Sequence, residues 1–411
     1  MEITESAAKR VQVVIVGGGF AGVAAIRTLR FSGVSCDITL VTKGERFEYF
    51  PALYKLVTGA LAIEVSVPYT KMKGWGGVKV EKGIFTGVDR DQRRIRLEDG
   101  RELPYDYLVL ALGSETNYFG IKGLAELSLS FKSVKEASRL KKHFCDVMST
   151  AAGLPKNEAV VKLHTIIVGG GPSGVELAGD LTHYLRSLAK TMGVDPSLVT
   201  IDLIESAPRI LAALPEAASR SAEKRLRTLG VNIYPNRAVA GQDIFSVSTG
   251  SMNFQSSTVI WTAGTKISDA FTAIPGASLS DKRRVTVNEF LALPDDSRVF
   301  IAGDGASTPK SGLAQTADYD GKYLGRTLAR LIVGKRPSPY KPPRVSFVIP
   351  VGNYWALFVI GKRVFTGFLP WLLRSAADFR YFTSIVPLSY VFDVYRQGRK
   401  YRQSQTYCPL E

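Results

Sequence analysis

Thr165-Ile166-Ile167-Val168-Gly169-Gly170-Gly171-Pro172-Ser173-Gly174-Val175-Glu176 decides the fold class of this chain of 411 residues. A β-branched, apolar run passes without interruption into Gly-x-Gly-x-x-Gly, and Leu177, Leu181, Tyr184, Leu185 and Leu188 then recur at helical spacing. Such a strand-to-helix turn brings the backbone close to a pyrophosphate and aims the unpaired N–H groups of the first helical turn at it. Val13-Val14-Ile15-Val16-Gly17-Gly18-Gly19-Phe20-Ala21-Gly22 repeats the arrangement near the N-terminus. One match is weak, because glycines also serve ordinary turns. Two, each set between a strand and a helix, predict two dinucleotide sites in an α/β fold.

Outward from these turns, the next strand of each unit carries the adenosine ribose contact about 20 residues on. In the second unit Val199-Thr200-Ile201-Asp202-Leu203-Ile204 ends in Glu205, whose carboxylate can take both ribose hydroxyls and would repel a 2′-phosphate, so NADH is expected over NADPH. Arg209 lies nearby and is the feature that argues the other way. In the first unit Asp37-Ile38-Thr39-Leu40-Val41 is followed by Thr42 and Lys43, which hold a ribose less firmly than a carboxylate does. Tyr107 to Leu112 predicts a strand ending at Gly113, which in a two-nucleotide flavoenzyme would lie beside the first cofactor. Arg298 to Ala302 predicts another, ending in Gly303-Asp304, where the Asp could bind a flavin ribityl hydroxyl or merely serve a turn. Val259 to Trp261 is a strand running towards Gly264, Asp99-Gly100 a hairpin turn, and residues 133–150 and 314–333 are helices. Phe47, Tyr49, Phe50 and Tyr54, around Pro51, suit a packed loop and the lining for a flat ring equally.

The composition narrows the classes. An apolar fraction of 45% and 38 glycines suit two or three α/β domains and argue against disorder. Cys36, Cys145 and Cys408 are too few and scattered for a disulfide framework or a zinc site, and His143, His164 and His183 have no metal spacing, so structural roles and no metal are expected. Only a short polar start precedes Gly17, which leaves no room for a cleavable signal peptide and predicts a chain that stays on the cytoplasmic side. From Lys335 onwards 12 Lys and Arg face 3 Asp and Glu, so +9 of the net +16 lies in the last 77 residues, among aromatics. No apolar window of about 18 residues exists there, Lys362 and Arg363 interrupt the pattern, and Pro370 and Pro387 are expected to break helices. The tail is expected to lie as a peripheral amphipathic segment on an anionic membrane surface, with a core-packing or homodimer-forming domain as the alternative and nucleic acid the less favoured partner.

In order, the two glycine stretches, Phe50-Pro51-Ala52-Leu53-Tyr54 with Val57-Thr58-Gly59, Gly113 to Gly120, Trp261-Thr262-Ala263-Gly264, Ala302-Gly303-Asp304 and Ala314-Gln315 resemble the type II NADH:quinone oxidoreductases over roughly residues 10–335. These are single-subunit, non-pumping flavoproteins. The resemblance implies two Rossmann-like domains, the FAD domain split in sequence (1–125 and 266–340), with an NADH domain at 126–265 and a membrane-associating or dimerisation region at 341–411. It further implies that Gly17, Gly19, Gly22, Gly113 and Asp304 serve FAD, with Thr42 and Lys43 at its adenosine end. Gly169, Gly171, Gly174, Glu205 and Gly264 would serve NADH. Glu176 would position or protonate near the nicotinamide, and Gln315, with Tyr319, would approach a membrane quinone on the cytoplasmic face. Two departures stand out: Thr42 replaces the usual acid, and Tyr319 and Asp320 replace the usual glutamines. Sulfide:quinone reductases, other flavin reductases and NADH-sensing flavoproteins like apoptosis-inducing factor are the rival readings.

Overall fold

Gln12–Val16 lies inside a six-stranded sheet because Val13 to Val16 are apolar on both faces and both faces are covered. In the computed structural model, which describes residues 10–403 and 408, this sheet runs Ala292–Leu293, Asp296–Ile301, Tyr107–Leu110, Gln12–Val16, Asp37–Thr42, Val78–Lys82. All neighbours are parallel except the first pair. It belongs to the first of two units, made of the chain up to Phe47, Val67–Glu115 and Lys266–Val345. The helix Phe20–Phe31 follows the first glycine turn and packs against Ala314–Ile332. Close approach of those helices depends on small residues. A Cβ on Gly321 would sit 2.1 Å from the Ala21 carbonyl oxygen, and one on Gly325 would sit 2.5 Å from the Thr28 Cβ. A three-stranded antiparallel sheet of Phe85–Asp89, Arg94–Leu97 and Glu102–Pro104 completes this unit, with its hairpin turn at Asp99-Gly100 and Gly100 at φ +83°.

The second unit comprises Glu48–Ser66, Thr116–Thr265 and the chain from Ser346 onwards. Its sheet is wholly parallel, in the order Val231–Tyr234, Thr200–Ile204, His164–Val168, Thr258–Trp261. The helix Pro172–Thr191 leaves the second glycine turn and buries the predicted apolar stripe of Leu177, Leu181, Tyr184, Leu185 and Leu188, together with Val175. Residues 133–150 form part of the helix Val134–Ala152, capped by Ser133, whose hydroxyl accepts the Glu136 N–H at 3.1 Å. A short connection follows it, and a further helix starts at Lys156.

The tail is more regular than its sequence suggests. Ser346–Pro350, Ala356–Ile360 and Arg363–Gly367 form an antiparallel sheet, and the helices Phe368–Ile385 and Leu388–Gln403 follow. Pro387 separates the two helices as expected, but Pro370 does not break one. It stands in the first turn, where its missing N–H has no intrahelical partner to lose. The cysteines also depart from expectation. Cys145 and Cys408 are joined in a disulfide across 263 residues of sequence, while Cys36 is a buried thiol. A count of three cannot show which two segments a fold brings together.

Candidate functional site

In the first unit the glycine turn has the shape of a phosphate cradle. Gly17 sits at φ +106°, and a Cβ there would lie 2.1 Å from the Ala111 carbonyl oxygen, so only glycine fits. Gly22 lets the helix close on the turn, since a Cβ would meet the Gly17 oxygen at 1.9 Å. At Gly19, which N-caps the helix without a side-chain capping bond, a Cβ would meet nothing within 4 Å. Open space before an uncapped helix N-terminus suits a pyrophosphate, so the residues present fit FAD. Thr42 is 9% exposed at the end of its strand, its hydroxyl near Gly18, and Lys43 is exposed. Tyr69 is a residue sequence reasoning missed: its hydroxyl donates to the Gly18 carbonyl at 2.9 Å, and its ring stacks on Trp75 at 5.5 Å. The two lie 51 residues apart, and no local pattern connects them.

The adjacent strands Tyr107–Leu110 and Asp296–Ile301 bring Gly113 and Asp304 to the same edge. A Cβ on Gly113, at φ +71°, would also enter open space, and Ser114 Oγ donates to Asp304 Oδ2 at 2.6 Å. Arg284 Nε donates to the Asp304 carbonyl at 3.1 Å, which fixes the turn from its other side. Gln315 is exposed, and Tyr319, one helical turn on, presents its ring edge-on to Tyr340 at 5.9 Å.

In the second unit Gly171 caps its helix without a side-chain bond and faces open space, while Gly169 at φ +112° and Gly174 are sterically obligatory. Glu205 is drawn to this turn: its Oε2 accepts the Gly170 N–H at 2.6 Å and its Oε1 the Ala207 N–H at 2.7 Å. Arg209 does not compete for a ligand, because its guanidinium donates to the carbonyls of Leu211, Ala212 and Leu214. Gly264, at φ +158°, accepts the Asn117 N–H at 3.1 Å, and a Cβ there would strike the Phe119 ring at 2.6 Å.

Glu176, in the second turn of the same helix, is 9% exposed and belongs to a buried charge cluster that the sequence does not reveal. Arg374 donates through Nη1 to Glu176 Oε1 at 3.3 Å and to the Val348 carbonyl at 2.9 Å, through Nη2 to the Pro51 carbonyl, and through Nε to Asp378 Oδ1 at 3.0 Å. Asp378 also accepts from the Tyr49 hydroxyl at 2.8 Å and Lys55 Nζ at 2.9 Å. Tyr49 and Tyr54 are buried here, so these two aromatics pack into the cluster. Burial opposes the charge on Asp378, but Lys55 and Arg374 outweigh it and hold its carboxyl below the usual range. For Glu176 burial wins: despite Arg374, its pKa is pushed up to about 7, with Asp378 and Asp180 adding to the rise. Asp180 is likewise raised by burial, to about 6.

The sign of the resulting pH dependence follows from the raised value. Glu176 binds its proton more tightly folded than unfolded, so its contribution to stability is fully present below about 4.5 and is lost as pH rises through about 7. Glu176→Gln is therefore expected to gain stability relative to the native protein across that interval, with Asp180 still titrating in both. Urea midpoints measured at several pH values check this, and a difference that does not change with pH contradicts it.

One mostly parallel and one wholly parallel sheet, each with an open glycine turn at the end of an interior strand, define a protein with two dinucleotide-binding units. The chain belongs to the pyridine nucleotide-disulphide oxidoreductase family, whose signature matches residues 11–321. It is 28% identical over 397 residues to the type II NADH:quinone oxidoreductase Ndh of Mycobacterium tuberculosis, covering 90% of this chain and 84% of that protein. The type II NADH:quinone oxidoreductase of Haemophilus influenzae is 26% identical, with 84% and 86% covered. In fold the chain is similar to NDH2 from Plasmodium falciparum, solved in complex with NADH (TM-score 0.84, 16% identity, 96% and 98% covered). It is also similar to the sulfide:quinone oxidoreductase of Aquifex aeolicus (TM-score 0.74, 20% identity, 91% and 90% covered).

Proposed function

We propose that this chain is a type II NADH:quinone oxidoreductase, passing two electrons from NADH through FAD to a membrane quinone without pumping protons. One observation carries the reading: each unit ends an interior strand in an uncapped, open glycine turn, and the relatives that match nearly the whole chain bear that name. In the proposed assignment residues 1–125 and 266–340 hold FAD, 126–265 hold NADH, and 341–411 associate with the membrane. Bound FAD supplies the two-electron redox chemistry that the side chains lack. The protein's residues position and exclude. Gly17, Gly19 and Gly22 admit the FAD pyrophosphate, Thr42 and Lys43 line its adenosine end, and Gly113 and Asp304 face its ribityl side. Gly169, Gly171 and Gly174 admit NADH, Gly264 lines its nicotinamide end, and Glu205 takes its ribose. Glu176, protonated for part of the time near neutrality, is a proposed proton-transfer residue of the NADH unit, and Gln315 and Tyr319 of the FAD unit are proposed to steer the quinone.

Glu205→Arg should turn preference towards NADPH, because the charge facing the ribose is reversed and can pair with a 2′-phosphate. The ratio of kcat/KM for the two nucleotides measures it, and an unchanged ratio sinks the ribose assignment.

The tail supports a peripheral membrane site. The helix Phe368–Ile385 turns Arg374 and Asp378 inwards and leaves Phe368, Leu369, Leu372, Leu373 and Phe379 exposed, with Lys362, Arg363 and Arg380 exposed nearby. Among the described residues no helix is long and apolar enough to cross a membrane. A cytoplasmic-face anionic bilayer is the proposed partner, and a homodimer through the same apolar surface is the second use. Against a sulfide reductase, Cys145 lies on the helix Val134–Ala152 and its partner Cys408 in the tail, neither on the strands or turns assigned to FAD, and Cys36 is buried just before Asp37–Thr42, at the far end of that strand from Thr42.

The test is anaerobic. Flavin absorbance of the purified protein should bleach with NADH and recover on adding a short-chain quinone. Bleaching without recovery refutes quinone as acceptor and favours a sensing role. With Leu369→Glu and Leu372→Glu combined, short-chain quinone turnover should persist while turnover with quinone embedded in anionic liposomes falls. Equal loss of both contradicts the membrane assignment.

A further inference from the structure

Asp320 is fully buried, yet it carries a carboxyl group in the interior of the helix Ala314–Ile332. Its Oδ2 accepts the Gly303 N–H at 3.1 Å and its Oδ1 accepts the Tyr340 hydroxyl at 2.6 Å. Tyr340 is itself held in place: its N–H donates to the Glu289 carbonyl at 2.7 Å, and its ring meets Tyr319 and Tyr323 edge-on at 5.9 and 5.2 Å. Gly303 stands at φ +70°, where a Cβ would lie 3.3 Å from that of Ala317. One carboxylate thus ties the Gly303-Asp304 turn, the long helix and the segment around Tyr340 together. Its own bonds are to two neutral donors and no cation. Burying an unpaired carboxylate costs several kcal/mol, roughly, which an amide or an apolar residue would avoid.

We propose that Asp320 is a positioning residue for the FAD turn: through the Gly303 N–H it fixes the turn's geometry and places a negative charge directly behind it, lowering the potential at which FAD works. The proposal rests on the reading that Gly303-Asp304 holds FAD. Three charged or titratable groups face this carboxyl or its turn: Tyr340 through its hydrogen bond, Asp304 by charge, and Arg284 through the Asp304 carbonyl. Burial, reinforced by Asp304, raises the Asp320 pKa to about 6 against the opposing bonds from Tyr340 and Gly303, so the charge is present at neutral pH and is lost in mild acid.

The substitutions separate charge from shape. Asp320→Asn keeps an acceptor for Gly303 and removes the charge, so FAD content should hold while the midpoint potential at pH 7.5 becomes more positive. The native potential should also show extra pH dependence around pH 6 that the Asn variant lacks. Asp320→Leu removes the acceptor as well, and FAD affinity should fall about tenfold or more, the cost of an unmade buried hydrogen bond. Should the Asn variant fold poorly, Tyr340→Phe, which removes one stabilising donor from the carboxylate, should move the potential in the same direction. A purely structural Asp320 would lower the melting temperature and leave the potential in place, and that result overturns the proposal. Asp304→Ala checks the underlying reading separately. If it loses FAD while Asp320→Asn keeps the native potential, the proposal fails and the FAD turn stands. If it retains FAD at native affinity, the FAD turn and the proposal fail together.

Discussion

Gly17→Ala should yield a protein that purifies with less than about a tenth of the native flavin. The added Cβ would lie 2.1 Å from the Ala111 carbonyl oxygen, at a φ of +106° that side chains rarely adopt. Strain of this kind costs about 1–3 kcal/mol and the forced shift of Ala111 a similar amount; the free turn is expected to relax away from the cradle geometry, and FAD must restore it to bind, roughly a hundredfold loss or more in a binding constant. Gly19→Ala provides the contrast. Its Cβ meets nothing within 4 Å, so the flavin-free protein should keep its stability to within about 0.5 kcal/mol while FAD affinity falls, because the methyl group enters the cradle. Flavin-to-protein ratios and thermal melts of the two variants read this directly. Native flavin content in Gly17→Ala would falsify the assignment of the first turn.

Arg374→Met should destabilise the protein by about 3–5 kcal/mol at pH 8, the cost of leaving buried carboxylates without their cation. The guanidinium serves Glu176, Asp378 and the carbonyls of Val348 and Pro51 at once, from a side chain only 12% exposed. Lys55 and Tyr49 still hold Asp378, so the loss falls chiefly on Glu176, whose pKa should climb further above 7. The penalty should therefore shrink as pH is lowered through that value and Glu176 becomes neutral. Arg374→Lys keeps a charge but not the planar fork, and should recover part of the loss. Urea unfolding at pH 8 and pH 5.5 tests both statements. A Met variant within 1 kcal/mol of native at pH 8 would show that Arg374 does not hold the cluster together. The same arginine ties the exposed apolar helix Phe368–Ile385 to the helix that leaves the second glycine turn. The exposed apolar face of that helix is thus anchored on the charge cluster around Glu176.

Local sequence was sufficient wherever the physics is local. Gly17 and Gly169 needed only their strand and helix neighbours to be read as phosphate turns, since a few consecutive residues set both the positive φ and the uncapped helix end. The stripe from Leu177 to Leu188 was legible for the same reason, as were the helix at 133–150 and the turn at Gly100. Contacts between distant residues left no such trace. Tyr69 over Gly18, Tyr340 and Gly303 on Asp320, Arg374 on Glu176, and Cys145 joined to Cys408 span from 17 to 263 residues of sequence. Which polar groups meet inside a fold depends on how its sheets and helices pack, and a pKa depends on that burial in turn. Glu176 could be picked out from its place after a glycine turn, but its neutral-range titration arises only once the fold buries it, with Asp378 and Asp180 adding to the rise and Arg374 opposing it.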